Sequence, residues 1–150
     1  MTTPRVLFVC VKNGGKSQMA AGLMRRAAGA AVQVDSAGTR AGSALNARSV
    51  ESLREVGVDI SGAEPRQLTD EAVREADLVV VLGSEAHVEP VGDTPVEVWE
   101  IDEPSTRGIE GAERMRLVRD DIAARVEQLA RRLGATGAGA PGPRDAASAG

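Results

Sequence analysis

Apolar positions along this chain recur in two rhythms. Val6-Leu7-Phe8-Val9 is a short unbroken apolar run, and Leu78-Val79-Val80-Val81-Leu82 after Asp77 is a second. Short continuous runs rich in β-branched residues fit strands buried on both faces. They predict strands from Arg5 to Val9 and from Asp77 to Leu82, the latter central in its sheet. Val32 to Asp35 predicts another strand, stopped by Ser36-Ala37-Gly38, and Val96 to Ile101 a fourth, alternating enough to be less buried. Elsewhere the spacing changes to threes and fours. Met19, Leu23 and Ala27 predict a helix from Ser17 to about Ala28, with Ser17 as its cap. Val50, Leu53 and Val56 predict a helix from Asn46 to Val56, ended by Gly57. Thr69-Asp70-Glu71 opens a short helix with an acidic first turn. Met115, Val118, Ile122, Val126, Leu129 and Leu133 make one stripe along a helix from Ala112 to about Leu133. Arg116, Arg119, Arg125, Arg131 and Arg132 on its other faces read as solvated; Arg114, nearest the preceding loop, stands apart.

Strand, helix and strand within about thirty residues form a βαβ unit, whose strands are parallel and whose crossover is right-handed. The pattern as a whole predicts a three-layer α/β domain over residues 1–133, a four-stranded parallel sheet flanked by helices. Ligands of such sheets bind beyond the carboxyl ends of the strands. Cys10, Ser36, Gly38, Gly83, Ser84, Asp102 and Glu103 all follow predicted strands closely and should gather on one rim. Residues 134–150, made mostly of Gly, Ala, Pro and Ser without periodicity, predict a disordered tail.

Composition narrows the function. At 150 residues the chain can bury one core. A net charge of −4 argues against nucleic acid as the main partner, and no apolar run approaches the roughly 20 residues of a membrane span. Nothing near Met1 has the form of a signal peptide, so the expected location is the cytoplasm. There is one cysteine, which rules out an internal disulfide and an internal dithiol relay alike. Phe8 and Trp99 are the only aromatic residues, with no tyrosine. His87 reads as a surface residue, Trp99 as partly buried, and neither a metal nor a tightly bound cofactor is expected.

The chemistry concentrates in Cys10-Val11-Lys12-Asn13-Gly14-Gly15-Lys16-Ser17, between the first strand and the first helix. A loop opening onto a helix N-terminus offers unpaired N–H groups and partial positive charge to an anion. Gly15-Lys16-Ser17 suggests a nucleotide phosphate loop, but that motif needs glycine where Cys10 stands. A cysteine there places a nucleophile at the floor of an oxyanion cradle. Five residues suffice to wrap N–H groups around a tetrahedral anion; Lys16 returns to supply charge, and the Ser17 hydroxyl points back at the sulfur. Hydroxyl and helix N-terminus both favour a thiolate. Asn13 tolerates a left-handed backbone and can brace the loop, and Gly14 and Gly15 allow close approach to the ligand. Ser36 is a second bracing candidate.

These residues, with Ser36-Ala37-Gly38-Thr39 and Glu103-Pro104, resemble the low-molecular-weight protein tyrosine phosphatase superfamily, whose loop is Cys-five residues-Arg-Ser/Thr with a later Asp-Pro. The resemblance covers about residues 4–133. Lys16 replaces the loop arginine and Glu103 the aspartate, and in both the chain resembles the actinobacterial arsenate reductases that use mycothiol, as it does over 113–120. Lysine is a point charge without the planar fork that grips a phosphoryl group, and the lack of tyrosine removes aromatic walls for a phosphotyrosine. The resemblance implies arsenate as substrate, mycothiol as co-substrate, Asp102 or Glu103 as the acid, and a mycoredoxin-type redoxin that releases arsenite. A phosphatase and a non-catalytic oxyanion-binding regulatory domain stand as alternatives.

Overall fold

The computed structural model of the chain describes residues 3–134. The elements in order are β1 (Arg5–Cys10), α1 (Lys16–Ala28), β2 (Gln33–Gly38), α2 (Ala47–Arg54), α3 (Asp70–Glu75), β3 (Leu78–Leu82), β4 (Val96–Trp99) and α4 (Gly111–Arg132), with 3-10 turns at Gly29–Ala31 and Pro104–Arg107. The strands lie in the order β2-β1-β3-β4, and all three pairings are parallel. This is the expected four-stranded sheet flanked by helices. The expected tail falls on residues 135–150, outside the described residues, apart from Gly134.

Both faces of the sheet are covered, which is why β1 and β3 are apolar without alternation. Val6, Phe8, Val80 and Leu82 pack with Met19, Leu23 and Met24 of α1 and with Ile122, Val126 and Leu129 of α4. Leu7, Val9, Val79 and Val81 pack on the other face with Val73 of α3. Trp99 is buried more fully than expected, its ring centroid 5.9 Å from that of Phe8.

Two strand ends differ from the expectation. β2 runs through Ser36-Ala37-Gly38 instead of stopping there, because main-chain pairing outweighs the weak strand propensity of small residues. Gly38 pairs with Cys10, and its other edge donates to the Arg66 carbonyl and accepts from Leu68 N–H, both at 2.8 Å. β4 ends at Trp99 because the chain leaves the sheet for α4: Arg125 takes the Glu100 carbonyl at 2.7 Å, and Asp102 N–H donates to Asp121 at 2.7 Å. The solvated arginine face also needs correction. Arg119 is buried and holds the Ser52 carbonyl (2.8 Å) and Glu55 (2.9 Å), clamping α4 to α2, while Arg116 pairs with Glu55 and Arg132 with Glu97.

Candidate active site

α1 begins at Lys16 after Gly15, and among the described residues no side chain caps it. The Ser17 hydroxyl, expected as that cap, is engaged elsewhere, so the first N–H groups of the helix keep their capacity for an external anion.

Ser17 and Cys10 are joined by a buried relay that starts at Asn13. Asn13 has φ 56°, the one non-glycine residue at positive φ among the described residues. Its Oδ1 accepts from the backbone N–H of Arg66 at 2.9 Å and from Gln18 Nε2 at 3.1 Å. A backbone N–H can only donate, so this bond settles which end of the amide faces which way. Nδ2 therefore donates to Ser17 Oγ, at 2.7 Å. The hydroxyl lies 2.9 Å from Cys10 Sγ, and to a thiolate, which has no proton to give, it is the hydroxyl that donates. Asn13 and Ser17 are both 0% exposed and Cys10 is 8% exposed. In this low-dielectric setting the sulfur faces a hydroxyl donor on one side and the start of α1 on another, both of which stabilise negative charge.

The outer side of the loop is tied down by its neighbours. The carbonyls of Cys10, Val11, Lys12 and Gly14 accept from the N–H groups of Thr39, Arg40, Gly42 and Asn46, at 2.7–3.0 Å. Among the described residues, no backbone hydrogen bond is donated by the N–H groups of Val11 to Ser17. Carbonyls spent outward and amides left over are what an oxyanion cradle requires. Gly38 makes the arrangement possible, since a Cβ there would meet the Val11 carbonyl oxygen at 2.6 Å and Asn13 N at 2.9 Å. Bracing thus comes from Asn13 and from main chain beyond β2. Ser36, the other bracing candidate, pairs with Phe8 two residues before the loop and lines a different cavity with Asp35 and Arg66.

Cys10, Val11, Lys12, Gly15 and Lys16 line a cavity of about 210 Å³. Asn13 and Ser17 stand buried behind them. Its remaining walls come from α2 (Asn46 at the cap position, Ser49), the end of β3 (Leu82, then Glu85) and the start of α4 (Arg114, Met115, Val118). Lys16 Nζ and Glu85 Oε1 lie 3.8 and 3.9 Å from the place a Cβ on Gly83 would occupy, so the turn after β3 brings both to the same wall.

Asp102 and Glu103 are not among the residues that line this cavity. Arg107 holds Asp102 through two bonds of 2.8 and 3.1 Å. Arg114 holds Glu103 through Nε at 2.7 Å and Nη2 at 2.8 Å, and the Ser105 hydroxyl adds a third bond at 2.7 Å. The Arg114 guanidinium and the Ser105 hydroxyl pull the Glu103 carboxyl down to about 2, and Arg107 lowers that of Asp102. Both are ionised near neutral pH, a poor state for an acid. Glu85 and the α2 residues were not singled out by sequence reasoning. Glu85 lies two residues past Gly83 after the strongest strand, which is the signal that could have found it; nothing local marks Asn46 or Ser49 as neighbours of the loop.

Comparison with known proteins agrees with this geometry. A family profile described as low molecular weight phosphotyrosine protein phosphatase matches residues 5–138. The arsenate reductase of Brevibacillus brevis is 37% identical over 130 residues, covering 83% of this chain and 92% of that protein. Among solved structures, the thioredoxin-dependent arsenate reductase of Corynebacterium glutamicum is 33% identical with a TM-score of 0.70; the match covers 87% of this chain and 62% of that one. An arsenate reductase in the phosphate binding state is 28% identical with a TM-score of 0.76, over 87% of this chain and 98% of that one.

Proposed function

The chain belongs to the low-molecular-weight phosphotyrosine protein phosphatase family, and we propose that within it this protein is an arsenate reductase that passes arsenate to an external thiol. One arrangement carries the reading: a single cysteine, held by a buried hydroxyl, on the floor of a loop whose amides are free and whose cation is Lys16 rather than an arginine. The names of the relatives in Brevibacillus brevis and Corynebacterium glutamicum support the same substrate.

The N–H groups of Val11 to Ser17 and the charge of Lys16 hold arsenate. A thiol sulfur then bonds to arsenic as an arsenic–oxygen bond breaks. The thiol proton and the hydroxyl of hydrogen arsenate leave together as water, so no proton is required from Asp102 or Glu103, and arsenic stays pentavalent. Next, a second thiol attacks the arsenic-bound sulfur. A disulfide forms, the sulfur–arsenic bond breaks, and its electron pair stays on arsenic, which leaves as trivalent arsenite. The two sulfurs are oxidised and arsenic is reduced by two electrons. With one cysteine in the sequence, this chain cannot supply both sulfurs. We assign the first arsenic–sulfur bond to Cys10. Mycothiol then displaces Cys10 at arsenic, its thiol proton passing to the released Cys10 sulfur and arsenic staying pentavalent. A mycoredoxin-type redoxin is the thiol that attacks the arsenic-bound mycothiol sulfur, in a reducing, cytoplasmic compartment.

The test combines protein, arsenate, mycothiol and mycoredoxin and measures arsenite, beside one reaction with thioredoxin in place of both thiols and one with a chromogenic phosphate ester. Arsenite that needs the small thiol is expected. Rapid ester hydrolysis without thiol-dependent arsenite would return the protein to the phosphatases; arsenite with thioredoxin alone would remove mycothiol from the scheme. Cys10→Ser is expected to abolish turnover.

A further inference from the structure

Among the described residues, Arg114 is the one guanidinium lining the cavity around Cys10. It projects from the first turns of α4, where the helix dipole disfavours a cation. Glu103 compensates, and does so with geometry as well as charge. Its two oxygens take Nε and Nη2, a fork that fixes the guanidinium plane. Glu103 is fixed in turn, since Ser105 donates to the same carboxylate through its hydroxyl (2.7 Å) and its backbone N–H (3.3 Å). The fork leaves Nη1, which has no acceptor among the described residues. The side chain is 28% exposed, partly withdrawn from water yet at the cavity wall. The loop's own cations, Lys12 and Lys16, are flexible point charges. The cavity therefore lacks a planar, oriented donor on the loop side and holds one on the α4 side.

We propose that Arg114 is an oxyanion-binding residue of this site, aimed by Glu103 as its positioning residue. The loop amides take one side of the tetrahedral anion, and Arg114 Nη1 donates to an oxygen on the opposite side. The inference rests on the reading of the loop as an oxyanion cradle. It gives Glu103 a role other than that of an acid: its carboxylate stays ionised to hold the guanidinium in place.

The experiment measures binding of inorganic phosphate and of arsenate to the full chain by titration calorimetry, with protection of Cys10 from iodoacetamide as a second readout. Arg114→Ala is expected to raise Kd about tenfold, the loss of one charge-assisted hydrogen bond, and Arg114→Lys by less. Glu103→Gln is expected to weaken binding about threefold when Arg114 is present. In the Arg114→Ala background the same change is expected to leave binding unchanged or tighten it, because only a repelling charge is then removed. A purely structural ion pair would lower the melting temperature of Arg114→Ala and leave Kd where it was; unchanged Kd in the folded variant overturns the proposal. Should Arg114→Ala fail to fold, Arg114→Lys and Arg114→Gln carry the same comparison. Equal weakening by Glu103→Gln in both backgrounds overturns the positioning role. Arsenite formation with an Arg114-independent Kd sinks this inference alone, whereas Arg114-dependent binding without arsenite sinks the reductase reading alone.

Discussion

Two regions flank the cavity, and they are held by different physics. The Cys10–Ser17 loop is fixed by buried, neutral hydrogen bonds in which Asn13, Ser17 and Gln18 find partners and the loop carbonyls are paired with residues 39–46. The Asp102–Arg114 rim is fixed by ion pairs whose carboxylates are 36% and 38% exposed. A buried neutral network barely responds to pH or salt, and each missing member leaves an orphaned polar group behind it. Partly exposed ion pairs respond to both, and each is worth little alone. The loop is thus built to hold one shape, while the rim is built from charges that conditions can adjust.

The sharpest way to break the loop is at its contact with β2. Gly38→Ala drives a Cβ into three backbone atoms at 2.6–2.9 Å, none of which can rotate away. A loss of about 3 kcal/mol or more in urea denaturation is expected, together with loss of anion binding. Asn13→Ala comes next. It removes the donor to Ser17 and the acceptor of the Arg66 N–H, and it leaves a β-carbon at φ 56° without the amide that favoured it. About 2–4 kcal/mol is expected by the same measurement. Ser17→Ala should cost less stability, about 1–2 kcal/mol, but slow alkylation of Cys10 by iodoacetamide several-fold, because the hydroxyl proton aimed at the sulfur is gone.

Variants of the rim pairs, and of the Glu55 pair that joins α2 to α4, should cost less at neutral pH than those of the loop, and their cost should shrink as the pH falls. The folded carboxyls of Glu103 and Glu55 lie at about 2, against 4.5 for the free side chain, each held down first by an arginine: Arg114 for Glu103, Arg116 for Glu55. A lowered folded value means that the unfolded chain takes up protons first. The stabilisation is complete above about 4.5 and is lost as pH falls from there toward 2. Thermal melts across that interval should fall less steeply for Glu103→Gln and Glu55→Gln than for the parent. An equally steep fall in the variants would show that these pairs do not carry acid sensitivity. Asp102→Asn should be the mildest change, with no measurable shift in urea midpoint and only a faster-moving Arg107.

The same contrast explains which parts were legible beforehand. The loop is a local motif: cysteine, asparagine, lysine and serine lie within eight residues, and their spacing alone carries the chemistry. Strands and long helices were legible for a related reason, because burial imposes a period on neighbouring residues. β1, β3 and the stripe on α4 fall where the pattern put them. The errors arise where distant residues meet. Ser17 reads both as a cap and as a hydroxyl facing the sulfur, and only the second holds: the spacing places it at Cys10, while nothing local reveals that Asn13 donates to it and takes it from the cap. Arg119 reads as solvated until Ser52 and Glu55 arrive from α2. Glu103 reads as an acid until Arg114, eleven residues on, closes its fork around it.

By itself, then, the sequence determined the parallel sheet, the oxyanion loop and the solitude of its cysteine, since each is written in residues close together or in a simple count. Only the tertiary structure decided that Asn13 donates to the Ser17 hydroxyl, which carboxylates are spent on arginines, and that Glu85 and Arg114 reach the cavity wall. Those are contacts between side chains whose separation in space is set by the packing of whole elements, and no local period or spacing encodes them.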